Sequence, residues 1–284
     1  MKIPKRIQPL VDDGIVDKVL RQLMSGKEAT VYVVQCGDDV RCAKVYKEAS
    51  QRSFKNAVLY NEGRKVRNGR NARAMQKGSK FGREQQEEIW QNTEVDTLYK
   101  FADAGVRVPI PYGCFGGVLI MELITDAEGF AAPRLNDVSL TEENALIDHA
   151  KMMEYVVRML SVGVIHGDLS EFNVLVDELG PVIIDLPQAV DAAGNNNARK
   201  MLLRDVNNMT QYYAQFAPTL AATRYGEEIW SIFESGELNA NTTLTGKFID
   251  SEVNADVNSI LDEINAAREE ELERLDRISD VSDT

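Results

Sequence analysis

The stretch HGDLSEFN at residues 166–173, followed by VIID at 182–185, decides how this chain folds. Between the two lie a short apolar run at 174–176 and a polar turn around Gly180. A loop, a strand, a turn and a second strand therefore lead to Asp185. This order brings Asp168, Asn173 and Asp185 to one small hairpin.

An Asp followed five residues later by an Asn matches the spacing of a kinase catalytic loop. Asp168 is the candidate base, because a carboxylate can accept the proton of an attacking hydroxyl. Asn173 and Asp185 are the candidate ligands of Mg²⁺, or of Mn²⁺, because such ions take oxygen donors. The alternative is an H-G-D-L turn that caps a buried strand, but it does not explain all the pieces in this order.

Lys44 lies late in the apolar strand RCAKVY at 41–46. This context resembles V-A-I-K, in which the Lys binds the α- and β-phosphates of ATP and pairs with a helix Glu. Glu94, in the middle of the following helix, is the candidate partner, since a buried ammonium is costly without one. The alternative is an outward-facing Lys on a two-faced strand. Lys44 and Asp185 join Asp168 as the predicted catalytic residues.

The segment MSGKEATVY at 24–32 precedes what the pattern predicts to be the first strand. It has one glycine, so it is neither G-x-G-x-x-G nor a Walker A motif. A Ser-Gly turn can nevertheless offer backbone N–H groups to phosphate oxygens. We list five candidate ATP-binding residues here, with an ordinary turn as the alternative: Ser25, Gly26, Lys27, Glu28 and Ala29.

The remaining patterns predict an α+β fold in which strands come first and helices follow. The predicted elements are a hairpin (31–36 and 40–46), a helix (84–104), a strand (117–124), a helix (141–162) with Thr141 as N-cap, a hairpin (174–176 and 182–185), two helices within 203–234 broken at Pro218, and an amphipathic acidic helix (252–279). The predicted domains are an N-lobe at 1–121, a C-lobe at 122–250 and an acidic tail at 251–284.

Composition and charge limit the environment and the partners. The 284 residues carry a net charge of −13, no apolar run of about 18 residues and no signal-peptide core. We therefore expect a cytoplasmic protein with no membrane contact. Residues 52–83 carry ten Lys or Arg against one acid, so this flexible basic insert (48–83) is a candidate contact for RNA, with a solvated loop as the alternative.

The chain resembles the RIO-type atypical serine/threonine protein kinases over about residues 20–235. The matching stretches are SGKEATVY (25–32), CAKVY (42–46), WQNTE (90–94), VLIMELI (118–124), HGDLSEFNVL (166–175), IIDLPQA (183–189) and LRD (203–205). The departures are Asn195-Asn196-Asn197, near where the family usually has His-Pro, and the acidic tail. The resemblance implies a compact two-lobed kinase fold without an activation loop, in the branch that lacks an N-terminal winged-helix domain.

The resemblance also implies site residues that the patterns alone do not give. Met121, Ser170 and Glu171 would lie at the ATP site, and backbone groups of Glu122 and Ile124 would bind adenine. Ser79, or else Ser53, is the candidate autophosphorylation site in the basic insert.

Three functions remain open from the sequence. The first is a Mg-ATP-dependent serine/threonine protein kinase that autophosphorylates and acts on an unknown protein substrate. The second is a small-molecule kinase of the aminoglycoside-phosphotransferase kind, which also has H-G-D and an Asn five residues after the Asp. The third is an ATPase-type assembly factor that acts on a ribosomal particle.

Overall fold

The computed structural model describes residues 3–26, 29–47 and 93–249. The chain divides into two compact units, Met1–Gly246 and Lys247–Thr284, and only residues 247–249 of the second are described. The basic insert and the predicted acidic helix lie outside the described residues, as does the first half of the predicted helix at 84–104.

The N-terminal part is an antiparallel sheet of five strands in the order β1-β2-β3-β5-β4. The strands are β1 (Lys18–Ser25), β2 (Ala29–Cys36), β3 (Asp39–Tyr46), β4 (Pro111–Phe115) and β5 (Val118–Glu122). The predicted hairpin is confirmed as β2 and β3. The prediction that it starts the sheet is wrong, because β1 pairs with β2 from Lys18 onward.

Two helices flank this sheet. The short helix α1 (Gln8–Asp12), which the sequence analysis did not predict, lies in an apolar cluster with one face of the sheet: Ile7, Leu10, Val16, Val19, Val34, Cys36, Ala43, Val118 and Ile120. Helix α2 covers residues 93–103 and contributes Leu98 and Phe101 to a second apolar cluster, which also contains Tyr46 and Leu119. Since successive strand residues face opposite sides, Ala43 and Lys44 serve different faces.

The C-terminal part is mostly helical. Its elements are α3 (Glu142–Ser161), β6 (Val164–Ile165), β7 (Val174–Asp177), β8 (Gly180–Ile183), β9 (Val190–Asp191), α4 (Ala198–Ala214) and α5 (Tyr225–Glu234), with 3₁₀ turns at Leu135–Asp137, Glu171–Asn173 and Pro218–Ala222. Thr141 caps α3 as predicted, since its Oγ1 accepts from the Asn144 N–H at 3.2 Å.

The fold confirms the predicted α+β, two-lobed class. The β7–β8 hairpin forms around the predicted turn, and the 3₁₀ turn at Pro218 separates α4 from α5 as predicted. Only residues 186–197 lie between Asp185 and α4, in agreement with the predicted absence of an activation loop. No helix in the described ranges is long and apolar enough to cross a bilayer.

Candidate active site

The Lys44 ammonium joins the two lobes. Its Nζ lies 2.6 Å from Glu94 Oε1 in α2 and 2.8 Å from Asp185 Oδ1 after β8. Lys44 and Glu94 are 7% and 2% exposed, so the predicted pair is present and buried. Burial favours the neutral amine, but Asp185 and Glu94 outweigh it and raise the pKa of Lys44. Lys44 is therefore a permanent cation beside Asp185.

Asp185 follows β8 and contacts Lys44 of β3. Partial burial disfavours its charge, but the Lys44 ammonium prevails and lowers the pKa of Asp185 below its ordinary value. Its φ of 67° is unusual for a residue other than glycine, and such strain is found where a fold aims a side chain at a functional site. The side chain is 44% exposed, so its carboxylate is accessible to a ligand while it binds Lys44.

His166 ties the catalytic loop to the end of β8. Its Nδ1 accepts from the Asp168 N–H at 3.2 Å, and its Nε2 lies 3.1 Å from the Ile184 carbonyl oxygen. This pair of contacts fits the neutral tautomer with the proton on Nε2. Complete burial lowers the pKa of His166 to about 4, so the ring is neutral at pH 7. The loop that bears Asp168 is thus fixed relative to Asp185.

Three side chains of helix α4 hydrogen-bond to the backbone of the same loop. The Gly167 N–H donates to Asp205 Oδ2 at 2.7 Å, and Arg204 donates to the Gly167 carbonyl oxygen. Asn208 Nδ2 donates to the Leu169 carbonyl oxygen at 3.0 Å. Gly167 has a φ of +81°, a conformation that side chains rarely adopt. Burial, partly offset by Arg204, raises the pKa of Asp205 to about 7.

Asp168 is held by two amide side chains. Asn173 Nδ2 donates to the Asp168 carbonyl oxygen at 2.8 Å, and Gln188 Nε2 donates to Asp168 Oδ2 at 3.1 Å. Burial raises the pKa of Asp168 above its ordinary value, despite the opposing charge of Arg204. A more basic carboxylate is a better proton acceptor. Gln188 belongs to the matched I-D-L-P-Q string, but no spacing rule pointed to its contact with Asp168.

Asn173 and Asp185 fit the oxygen chemistry of a divalent cation. The Ile184 N–H donates to the Asn173 carbonyl oxygen at 3.0 Å, which brings the two residues together. Because Nδ2 of Asn173 is bound to Asp168, its Oδ1 is the atom left for a ligand. The described residues hold no group of three or more acidic, His or Cys ligands. Mg²⁺ commonly takes one or two protein ligands and completes its shell with phosphates and water.

Three phosphate-loop candidates are among the described residues: Ser25 ends β1, Gly26 follows it, and Ala29 begins β2. The Gly26 N–H donates to the Ala29 carbonyl oxygen at 2.9 Å, and Ser25 Oγ lies 3.3 Å from Thr30 Oγ1. Lys47, which was not predicted, follows β3. Its ammonium donates to the Gly26 carbonyl oxygen at 2.5 Å and so connects Gly26 to the end of β3. The candidates Lys27 and Glu28 lie outside the described residues.

The adenine candidates lie at the end of β5 and just beyond it. Met121 and Glu122 end β5, and Ile124 is buried just beyond it. The Glu122 N–H donates to the Ile110 carbonyl oxygen at 2.9 Å, and the Ile124 carbonyl oxygen accepts from Ala132 at 3.0 Å. These bonds occupy one backbone group of each candidate, so the Glu122 carbonyl oxygen and the Ile124 N–H are the groups to test for adenine.

The other predicted residues separate into two sets. Ser170 precedes the 3₁₀ turn Glu171–Asn173, and its carbonyl oxygen accepts from the Asn173 N–H at 2.9 Å. Ser170 and Glu171 therefore lie on the same loop as Asp168 and Asn173. Ser53 and Ser79 lie outside the described residues.

The comparison with protein-family models finds the RIO domain at residues 30–225, more than half of the chain. The chain belongs to the RIO family. The RIO-type serine/threonine-protein kinase Rio1 of Haloferax volcanii is 34% identical over 208 residues, covering 73% of this chain and 67% of that protein. The serine/threonine-protein kinase RIO1 of Caenorhabditis elegans is 29% identical over 210 residues, covering 73% of this chain and 39% of that protein.

A solved RIO structure has the same fold. The Rio2 kinase–ADP/Mg²⁺–phosphoaspartate complex from Chaetomium thermophilum matches with a TM-score of 0.57 and 19% identity, over 92% of this chain and 75% of that chain. The prediction of a RIO-type kinase is thus confirmed, and these names do not favour the other two functions. The branch without a winged-helix domain stays a prediction, as do the lobe boundaries.

Proposed function

We propose that this RIO-family chain transfers the γ-phosphoryl group of Mg-ATP to a serine or threonine hydroxyl of a protein. The observation that carries the proposal is the fixed relation of Asp168 to Asp185. His166 bonds to the Asp168 N–H on one side and to the Ile184 carbonyl oxygen, next to Asp185, on the other. The proposed base and the proposed metal ligand are thus connected through His166.

Four residues would have separate roles in the transfer of the phosphoryl group. The carboxylate of Asp168 accepts the hydroxyl proton while the hydroxyl oxygen bonds to the γ-phosphorus. The bond from that phosphorus to the bridging oxygen breaks, and ADP leaves with the electron pair. A bound Mg²⁺, held by Asn173 and Asp185, would neutralise charge on the β- and γ-phosphates. Lys44 would bind the α- and β-phosphates from its position between Glu94 and Asp185.

The test is to incubate the purified wild-type chain and the Asp168→Ala variant separately with Mg-ATP labelled in the γ-phosphate. We expect labelled protein from the wild type, and a loss of label by a factor of about 10² or more in the variant, since a positioned base contributes about 10²–10⁴-fold. ATP binding should persist in the variant. Unchanged labelling in Asp168→Ala would refute the proposed role of Asp168.

The same assay tests the ATPase-type alternative. Free labelled phosphate whose release rises with ribosomal subunits or RNA would indicate the ATPase-type assembly factor, and a flat rate would count against it. Several matters stay predictions: the protein substrate, autophosphorylation at Ser79, a ribosomal or RNA contact of residues 48–83, the use of Mn²⁺, and a cytoplasmic location.

A further inference from the structure

Tyr46 makes a buried contact with Glu94, the partner of Lys44. Its hydroxyl donates to Glu94 Oε2 at 2.5 Å, while Lys44 Nζ donates to Glu94 Oε1 at 2.6 Å. The two donors thus occupy the two oxygens of one carboxylate. Tyr46 and Glu94 are 1% and 2% exposed, so bulk water does not substitute for either donor.

The strand geometry explains why Tyr46 reaches this carboxylate. Lys44 and Tyr46 are two residues apart on β3 and therefore face the same side of the sheet. Lys44 Nζ lies 5.6 Å from the centre of the Tyr46 ring, within the range of a cation–π contact. The ring packs in the apolar cluster that includes Leu98 and Phe101 of α2. The phenol thus joins the helix that carries Glu94 to the strand that carries Lys44.

The backbone of Tyr46 is fixed as well. Its N–H donates to the Gly117 carbonyl oxygen at 3.2 Å, and its carbonyl oxygen accepts from Arg6 Nη1 at 2.8 Å. Arg6 belongs to the segment that leads into α1. The ring position is therefore set by the sheet and by the N-terminal segment, independently of Glu94.

We propose that Tyr46 is a positioning residue for phosphoryl transfer, whose hydroxyl fixes the Glu94 carboxylate so that Lys44 is presented to the phosphates in one geometry. This rests on the proposed function. Tyr46 touches neither the transferred group nor the base, so it acts through Glu94 and Lys44. Without the hydroxyl, Glu94 Oε2 remains buried but no longer accepts the hydrogen bond from Tyr46. The carboxylate can then rotate about its χ3 torsion, which has a broad energy profile. Lys44 would then follow Glu94 away from its productive position.

The test compares Tyr46→Phe with Tyr213→Phe. Tyr213 is also fully buried, but its hydroxyl has no hydrogen-bond partner in the described part of the chain. For Tyr46→Phe we expect kcat for phosphate transfer to fall about tenfold, equivalent to about 1.4 kcal/mol, because misplacement of a phosphate-binding group raises the barrier. The KM for ATP should change by less than about threefold, since the hydroxyl is not an ATP contact. Tyr213→Phe should change neither constant.

A second measurement asks whether Tyr46 acts through Glu94 and does not require activity. In urea unfolding, the shift of the midpoint caused by Tyr46→Phe should shrink by at least half when Glu94→Leu, which has no acceptor for the phenol, is already present. The double variant also covers failure of Tyr46→Phe to fold, because Leu at position 94 has no buried acceptor that needs the phenol. Recovery of folding would support the contact.

Two results would overturn the proposal. One is a Tyr46→Phe kcat within twofold of the wild type or no lower than that of Tyr213→Phe. The other is an equal midpoint shift with and without Glu94→Leu. An inactive wild type would instead refute the proposed function, and the urea cycle would still report on the contact between Tyr46 and Glu94.

Discussion

Replacing Asp205 by Ala removes the acceptor that holds the catalytic loop against α4. Asp205 is 2% exposed, and its carboxylate accepts from the Gly167 N–H at 2.7 Å and interacts with the Leu169 backbone. Each buried donor left without a partner costs about 1–3 kcal/mol. For two donors we expect the free energy of unfolding to fall by about 3 kcal/mol. Phosphate transfer should also fall, because the loop carries Asp168.

The assay is urea unfolding at pH 7.5, with kcat and ATP binding measured on the same samples. Asp191→Ala is the matched control, because Asp191 also accepts from two backbone N–H groups, those of Ala193 and Gly194, but does so at the surface. Water can replace an exposed acceptor, so the control should lose less stability and keep its kcat. The reasoning is refuted if Asp205→Ala is no less stable than Asp191→Ala.

Three further predictions concern other parts of the molecule. Lys44→Met should lower the free energy of unfolding by about 3 kcal/mol, since it leaves the buried charge of Glu94 without its cation. The double variant Lys44→Met/Glu94→Leu should recover stability in urea unfolding but should not recover phosphate transfer in the labelling assay. Lys47→Met should raise the KM for ATP about threefold or more with little change in kcat, because Gly26 loses the hydrogen bond to its carbonyl oxygen and is held less firmly. Unaltered steady-state kinetics would contradict this. Burial lowers the pKa of His149 to about 4, so the wild type should lose stability as the pH falls from about 6.5 to about 4, where only the unfolded state binds the proton. His149→Gln should lose about 1.4 kcal/mol less per pH unit in that window, measured by urea unfolding at each pH, and parallel curves would exclude this assignment.

The sequence identified the hairpin that carries Asp185 because its signals are local. Two short apolar runs flank a turn at Gly180, and the structure pairs Val174 with Ile183 across that turn. The Thr141 cap was found for the same reason, since its partner is the N–H of Asn144, three residues away.

Strand β1 was missed because its residues show no apolar alternation. Only Val19 of its eight residues is buried, and the strand is held by backbone pairing with β2. An exposed edge strand of this kind carries almost no periodic signal, since the signal comes from burial on one face.

The contacts that complete the site depend on tertiary structure. Tyr46 and Glu94 are 48 residues apart, and Gly167 and Asp205 are 38 apart. The chemistry of Lys44 predicted that it needs a carboxylate, which pointed to Glu94. Nothing in the spacing of Tyr46, Lys47 or Gln188 indicated that they contact Glu94, the Ser-Gly turn and Asp168.

Asp168 and Asp185 have different tasks in the proposed phosphate transfer, and one measurement tests this assignment most directly. Asp168→Ala and Asp185→Ala are compared for Mg²⁺-dependent ATP binding and for single-turnover transfer of labelled phosphate. We expect Asp168→Ala to bind Mg-ATP within about threefold of the wild type but to transfer at least about 10²-fold more slowly. Asp185→Ala should lose the Mg²⁺ dependence of binding itself. If both variants weaken Mg-ATP binding equally, or if both keep it, the assignment of Asp168 as base and Asp185 as metal ligand is wrong.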